Sequence, residues 1–261
     1  MKIAVIGAGE MGGAFATGLL KGNMFKPSDI TVANPHEDKL KQFAQMGACI
    51  TTDNTVAIHD ADLVALVVKP GVVKSVIEEL KPELDYDKQI VINMAASVTI
   101  AQLEEWLKKN SEVPRIFQVL PNIGIAERAS MSFIAPNAKG RECLDEVKAI
   151  FDDLGKTMIT DERLLFVGTA MAGCGIAYVM RFVRAASEAG VELGFKADDA
   201  KEIIVQTMNG AVKLLQESGH HPEAEIDKVT TPGGMTIKGL NAMERNGFSN
   251  AVIEGIKASL V

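Results

Sequence analysis

Lys2-Ile3-Ala4-Val5-Ile6-Gly7-Ala8-Gly9-Glu10-Met11-Gly12-Gly13 opens the chain, and the fold is decided by how this stretch reads. A short apolar strand runs into glycines at 7, 9 and 12, and a helical pattern begins at once. In such a strand-turn-helix unit the first glycine permits the tight turn. The second lets a diphosphate approach the backbone without meeting a Cβ, and the third lets the helix pack closely on the strand. Unpaired N–H groups at the helix start then face the phosphates. Gly7, Ala8, Gly9, Glu10, Met11 and Gly12 are therefore expected to hold a dinucleotide.

Outward from this unit, short β-branched runs alternate with helical patterns as far as residue 160. Strands are predicted at Lys2 to Ile6, Ile30 to Ala33, Ala48 to Thr51, Leu63 to Val68, Gln89 to Met94, Ile116 to Leu120, Met131 to Ala135 and Lys156 to Ile159. That alternation predicts an α/β fold: a Rossmann-type, doubly wound, mostly parallel sheet over residues 1–160. Glu37 to Met46 reads as one of its helices, ended by Gly47. From residue 161 to 261 strand signals vanish and long helical patterns take over, predicting an all-α domain that assembles subunits and contributes to the substrate site. Ile176 to Leu193 is apolar almost all round and is expected to be largely buried. Ala197 to Ser218 follows as a second long helix. Phe248, Val252, Ile253, Ile256 and Leu260 give a third helix its apolar stripe. Packing of these helices across subunits predicts a homodimer or larger homo-oligomer, with packing inside one chain as the other solution.

The composition narrows the function. A net charge of −7 among 261 residues argues against nucleic acid, whose affinity rests on Lys and Arg neutralising phosphates. No apolar run is expected to cross a bilayer, so no membrane partner is expected. Cys49, Cys143 and Cys174 are odd in number and widely spaced, which suggests neither a disulfide framework nor a zinc site and fits reduced thiols in the cytoplasm. His36, His59, His220 and His221 form no ligand-spaced set, so no metal is expected.

Further candidates sit where predicted strands end. An NAD-selective site places a carboxylate at the end of the second strand, and this chain has Asn34 there, with His36, Lys39 and Lys41 nearby and Glu37 and Asp38 opposing them. NADP is thus favoured, with NAD as the alternative. Val68-Lys69-Pro70 ends the fourth strand at the edge where doubly wound sheets place their ligands, as a cofactor contact or as a solvated strand end. Asn93 and Asn122 lie at later strand ends, the first a cofactor candidate and the second a substrate candidate. Val229 to Thr236 reads either as an anion nest for a substrate carboxylate or as a capped helix start with Thr236 as N-cap.

Together these segments resemble the pyrroline-5-carboxylate reductase family, whose members reduce a cyclic imino acid to proline. The resemblance runs along nearly the whole chain: Gly7 to Gly12, Val68-Lys69-Pro70, Ala95-Ala96, Pro121-Asn122, Gly173 to Tyr178, Ala211 to Leu215, Ser218 to Pro222, and Val229 to Thr236. It implies NADP-dependent hydride transfer to a C=N bond and interlocked dimers. Ala95 joins the cofactor contacts. Asn122, Thr231, Gly233, Gly234 and Thr236 become substrate contacts, with the Thr236 hydroxyl as the catalytic candidate.

The chain departs from the family where Ile123 and Gly124 replace a Thr-Pro pair, where Ala129 stands in place of a common Glu, and where Cys174 and Ile176 replace Ser and Pro. These changes keep two other readings open: a reductase of the same fold acting on another imino or keto acid, and a non-catalytic NADP-binding sensor.

Overall fold

The computed structural model describes residues 1–260; Val261, the last residue of the expected helical domain, lies outside the described residues. All the expected strands form: β1 (Ile3–Ile6), β2 (Ile30–Ala33), β3 (Cys49–Thr51), β4 (Leu63–Leu66), β5 (Ile90–Asn93), β6 (Arg115–Leu120), β7 (Ser130–Pro136) and β8 (Gly155–Ile159). They make one eight-stranded sheet in the order β3-β2-β1-β4-β5-β6-β7-β8. Every neighbouring pair is parallel except β6 with β7. The chain moves out from β1 in one direction through β2 and β3 and in the other through β4, β5 and β6, so the topological switch point lies between β1 and β4.

The helices of this unit are α1 (Glu10–Lys21), α2 (Lys41–Gln45), α3 (Asn54–Ile58), α4 (Pro70–Leu80), α5 (Ile100–Leu107), α6 (Leu144–Asp152) and α7 (Glu162–Gly168). The single helix expected over Glu37 to Met46 divides into a 3-10 turn, Glu37–Lys39, and α2. Both faces of the sheet are covered, which is why the strands read as apolar runs without alternation. Ile3 and Val5 join a core with Phe15, Phe43, Phe117 and Phe151, while Ala4 and Ile6 face a second core with Val64, Leu66 and Ile77. The Phe15 and Phe151 rings stack with centroids 5.6 Å apart. Fully burying one such side chain contributes about 1.5–3 kcal/mol.

The chain forms two compact units, the first Met1–Gly173 and the second from Cys174 onward. α7, beyond the last strand, belongs to the first: Leu165 packs with Phe133, and a Cβ on Gly168 would strike the Phe133 ring.

The second unit comprises α8 (Gly175–Glu192), α9 (Ala197–Ser218), α10 (Pro222–Val229), α11 (Met235–Arg245) and α12 (Phe248–Lys257). α8 departs from its expected burial. Val179, Met180 and Val191 are about half exposed, and among the described residues of the unit Gly175 and Ala200 are the buried ones. Its apolar side chains reach outward because five helices of this kind enclose little volume among themselves. Phe182 meets Phe248 edge to face at 6.3 Å, and the Tyr178 hydroxyl donates to the Gly255 carbonyl at 3.3 Å. The expectation that no apolar run reaches membrane-spanning length also fails: the helical residues Glu162–Glu192 are long and apolar enough by length and composition. Arg181, Arg184, Glu188 and Glu192 nevertheless place four charges in the second half of that stretch.

Candidate active-site elements

The glycine loop is built by its three glycines in three different ways. Gly7 has φ +106°, and a Cβ there would lie 2.5 Å from the Val67 carbonyl oxygen, so the turn itself requires glycine. At Gly12 a Cβ would collide with the Gly7 carbonyl oxygen. At Gly9 a Cβ would meet nothing within 4 Å, which leaves an open space over the loop for a ligand. Gly9 is the N-cap of α1, no side chain caps that end, and Gly13 N–H donates to the Gly9 carbonyl at 2.7 Å. The N–H groups of Glu10, Met11 and Gly12 precede the first intrahelical bond and form an uncapped anion-binding end.

Asn34, at the end of β2, is 7% exposed. Its Oδ1 accepts from the Ala8 N–H and its Nδ2 donates to the His36 carbonyl, each at 3.1 Å. The side chain is thus engaged inside the loop rather than presented outward. Pro35 to Lys39, beside it, are exposed.

β1, β4, β5 and β6 bring their carboxyl ends to one edge. Val68 is half-buried there, and Lys69 is the exposed N-cap of α4, with Pro70 as its first residue. Asn93 is wholly buried: Nδ2 donates to Gln118 Oε1 at 2.7 Å and to the Ala95 carbonyl at 3.1 Å. Gln118 Nε2 donates to the same carbonyl at 2.9 Å. Two donors therefore fix the peptide plane of Ala95, itself buried at this edge. Gln118 was missed in the sequence, although one polar residue inside the apolar run Ile116-Phe117-Gln118-Val119-Leu120 was the available signal.

Asn122 follows β6 and is nearly buried. Its Oδ1 accepts from Gly124 N–H at 2.9 Å, its Nδ2 donates to the Ala172 carbonyl at 3.3 Å, and its N–H donates to Ser130 Oγ at 3.1 Å. Ile123 beside it is 45% exposed and Ala129 is exposed, so two of the altered positions present apolar surface at this turn.

In the second unit the chain turns at Gly233, φ +70°, and α11 begins at Met235 with Gly234 as N-cap. The alternative with Thr236 as N-cap is corrected: Thr236 is the second helical residue, because the left-handed turn at Gly233 brings the helix start forward. Gly234 N–H donates to the Thr231 carbonyl at 2.9 Å, and a Cβ on Gly234 would collide with Thr231 Oγ1. No side chain caps α11, so its first-turn N–H groups and the exposed hydroxyls of Thr231 and Thr236 stand at one helix end. This is an arrangement that binds a carboxylate.

Among the described residues no group of three or more His, Cys, Asp or Glu side chains is placed to hold a metal. A cleft of about 790 Å³ opens at the amino ends of β1 to β3, lined by Lys2, Thr31, Cys49, Thr55, His59 and Asp60. It lies at the sheet edge opposite the glycine loop.

Residues 2–97 match the family described as NADP oxidoreductase, coenzyme F420-dependent, and residues 162–261 match the family described as pyrroline-5-carboxylate reductase dimerisation. Pyrroline-5-carboxylate reductase 1 of Dictyostelium discoideum is 36% identical over 98% of the chain, which spans about half, 48%, of that longer protein. The pyrroline-5-carboxylate reductase of Methanosarcina acetivorans is 34% identical over 99% of the chain and 96% of its own length. Among solved structures, the Plasmodium falciparum pyrroline carboxylate reductase with NADP bound superposes with a TM-score of 0.90 at 25% identity, covering all of this chain and 95% of that one. The Coxiella burnetii enzyme gives 0.86 at 30% identity, covering 99% and 96%. A glycine loop left open over α1, an uncapped α11 behind a glycine turn, and relatives that match nearly all of this chain lead to one assignment: the chain belongs to the pyrroline-5-carboxylate reductase family.

Proposed function

We propose that the protein reduces 1-pyrroline-5-carboxylate to proline with NADPH, as a cytoplasmic homo-oligomer. The observation that carries this reading is the pair of uncapped helix ends, one beneath an open glycine loop and one beside two threonine hydroxyls. The first fits a diphosphate, because the space a Cβ would fill at Gly9 is free and three backbone N–H groups end there. NADPH, when bound, supplies the hydride that adds to the imine carbon.

Each part of the chain then has a separate task. Glu10, Met11 and Gly12 N–H groups hold the diphosphate. Exposed His36 and Lys39 offer positive or hydrogen-bonding groups to a 2′-phosphate, and Val68, Lys69 and Pro70 flank the cofactor at the switch point. The Ala95 peptide, fixed by Asn93 and Gln118, gives the nicotinamide end a rigid neighbour. The α11 end, with Thr231, Gly233 and Gly234, anchors the substrate carboxylate, and the Thr236 hydroxyl holds the ring nitrogen and its proton. A protonated imine is already electrophilic, so orientation rather than a strong acid or base is what the protein must supply.

A reductase for a less polar imino or keto acid is the second reading. It is favoured by Ile123, whose exposed apolar side chain stands beside Asn122 where the family has a hydroxyl. The test is loss of reduced-nicotinamide absorbance with pyrroline-5-carboxylate and a panel of imino and keto acids. Turnover fastest with pyrroline-5-carboxylate supports the first reading. Preference for another acid supports the second, and NADPH binding without turnover of any acid leaves a sensor.

A further inference from the structure

We propose that Asn34 is a positioning residue for the cofactor: it holds the Ala8 N–H, and with it the shape of the glycine loop, and takes no part in reading the adenosine ribose. The inference rests on the reading that the loop binds NADP(H).

The end of β2 grips two successive amides of the loop. Gly7 N–H donates to the Ala33 carbonyl at 2.8 Å, and Ala8 N–H donates to Asn34 Oδ1 at 3.1 Å. Ala8 is 6% exposed, so without Asn34 its N–H would be buried with no partner, a state the loop would leave by rearranging. The Asn34 amide is itself set by its bond from Nδ2 to the His36 carbonyl. One side chain therefore joins the loop to the exposed segment Pro35 to Lys39. Because Ala8 N–H is already occupied, the diphosphate is left to Glu10, Met11 and Gly12, the amides of α1 itself. An asparagine suits this task because it offers an acceptor without a charge. A carboxylate accepts the same N–H but sets a negative charge beside the phosphates, and it loses the donor to His36.

Asn34→Ala and Asn34→Asp in the full-length protein test the assignment, with thermal melts to confirm folding. Hydrogen exchange of the Ala8 amide is measured without cofactor. Calorimetry measures binding of NADPH, NADH and adenosine 2′-monophosphate, which has the ribose phosphate but no diphosphate. In Asn34→Ala, Ala8 exchange should rise about tenfold or more, and the Kd for NADPH and for NADH should rise together by about tenfold, equivalent to about 1.4 kcal/mol. The Kd for adenosine 2′-monophosphate should not change. In Asn34→Asp the Ala8 amide should stay protected, since the acceptor remains; this arm decides the question if the alanine variant does not fold. An equal loss for adenosine 2′-monophosphate and NADPH would make Asn34 a ribose contact and overturn the proposal. Unchanged NADPH affinity in Asn34→Ala, or an unprotected Ala8 in Asn34→Asp, overturns it as well. Failure of the parent protein to bind NADPH is a different result: it removes the cofactor reading, and this inference falls with it.

Discussion

The Asn93 side-chain amide donates to Gln118 Oε1 across 2.7 Å, and the two residues are paired in register on β5 and β6 with no exposure to solvent. Gln118→Leu removes both the acceptor for Asn93 and a donor to Ala95. A buried polar group left without its partner costs about 1–3 kcal/mol, so the Tm should fall clearly. NADPH affinity should fall too, because the Ala95 peptide keeps only one of its two donors. Scanning calorimetry and titration check the two effects; a wild-type Tm would mean that the cluster contributes nothing to stability.

The glycines of the first loop should separate folding from binding. Gly9→Val is expected to fold with an unchanged Tm, since a Cβ there meets nothing within 4 Å, and to lose NADPH binding. Gly12→Ala is expected to destabilise the protein by about 1–3 kcal/mol or more, because its Cβ collides with the Gly7 carbonyl oxygen. Melting curves beside calorimetric titrations distinguish the pair, and equal behaviour of the two variants would refute the division of roles.

Thr236→Val should raise the KM for pyrroline-5-carboxylate and leave the NADPH Kd unchanged, since Thr236 belongs to the α11 end and not to the glycine loop. A loss of about tenfold in kcat/KM corresponds to about 1.4 kcal/mol, the scale of one hydrogen bond to a charged group. Thr236→Ser, which keeps the hydroxyl, should restore most of it. An unaffected KM in the valine variant counts against the substrate role of this loop.

Acid stability should depend on Asp153. Burial alone opposes its ionisation, but Asn23 N–H at 2.7 Å, the Asn23 side chain at 3.2 Å and the Arg128 guanidinium at 2.7 Å hold its carboxyl below the ordinary range. With the folded value lower than the unfolded one, the unfolded chain takes up the proton first as pH falls. The stabilisation is complete above the unfolded value and is lost as pH drops through the folded one, that is, below about pH 4. Asp153→Asn should be less stable at neutral pH and show a flatter Tm profile between about pH 6 and pH 2. Parallel profiles for the two proteins would exclude this residue as a source of the acid transition.

The sheet was legible because parallel strands covered on both faces must be short apolar runs, and runs such as Leu63 to Leu66 admit little else. The three glycines were legible because each spacing answers a distinct steric demand. Asn34 was visible as a polar residue at a strand end, but a sequence does not say that a buried N–H at Ala8 is waiting for it. Gln118 was overlooked for a related reason: its partners, Asn93 at the end of β5 and Ala95 just beyond it, are distant in the sequence. For α8 the composition signalled only that apolar side chains avoid water, and not whether their own chain could cover them. At α11, Thr236 is a better N-cap than glycine by propensity, yet the turn at Gly233 decides where the helix starts.

The outward-facing side chains of α8, α9 and α12 bear on how the molecule comes into being. The first unit holds three clusters of buried hydrophobic side chains of its own, interior enough to order within a single chain. The second, with Ala200 as the one buried hydrophobic side chain among its described residues, has too little interior to persist alone. Cover for those side chains from another subunit would make its folding a second-order event. Refolding should pass through a phase independent of protein concentration and then one that quickens in proportion to it, and extreme dilution should melt the helical region while the sheet stays intact.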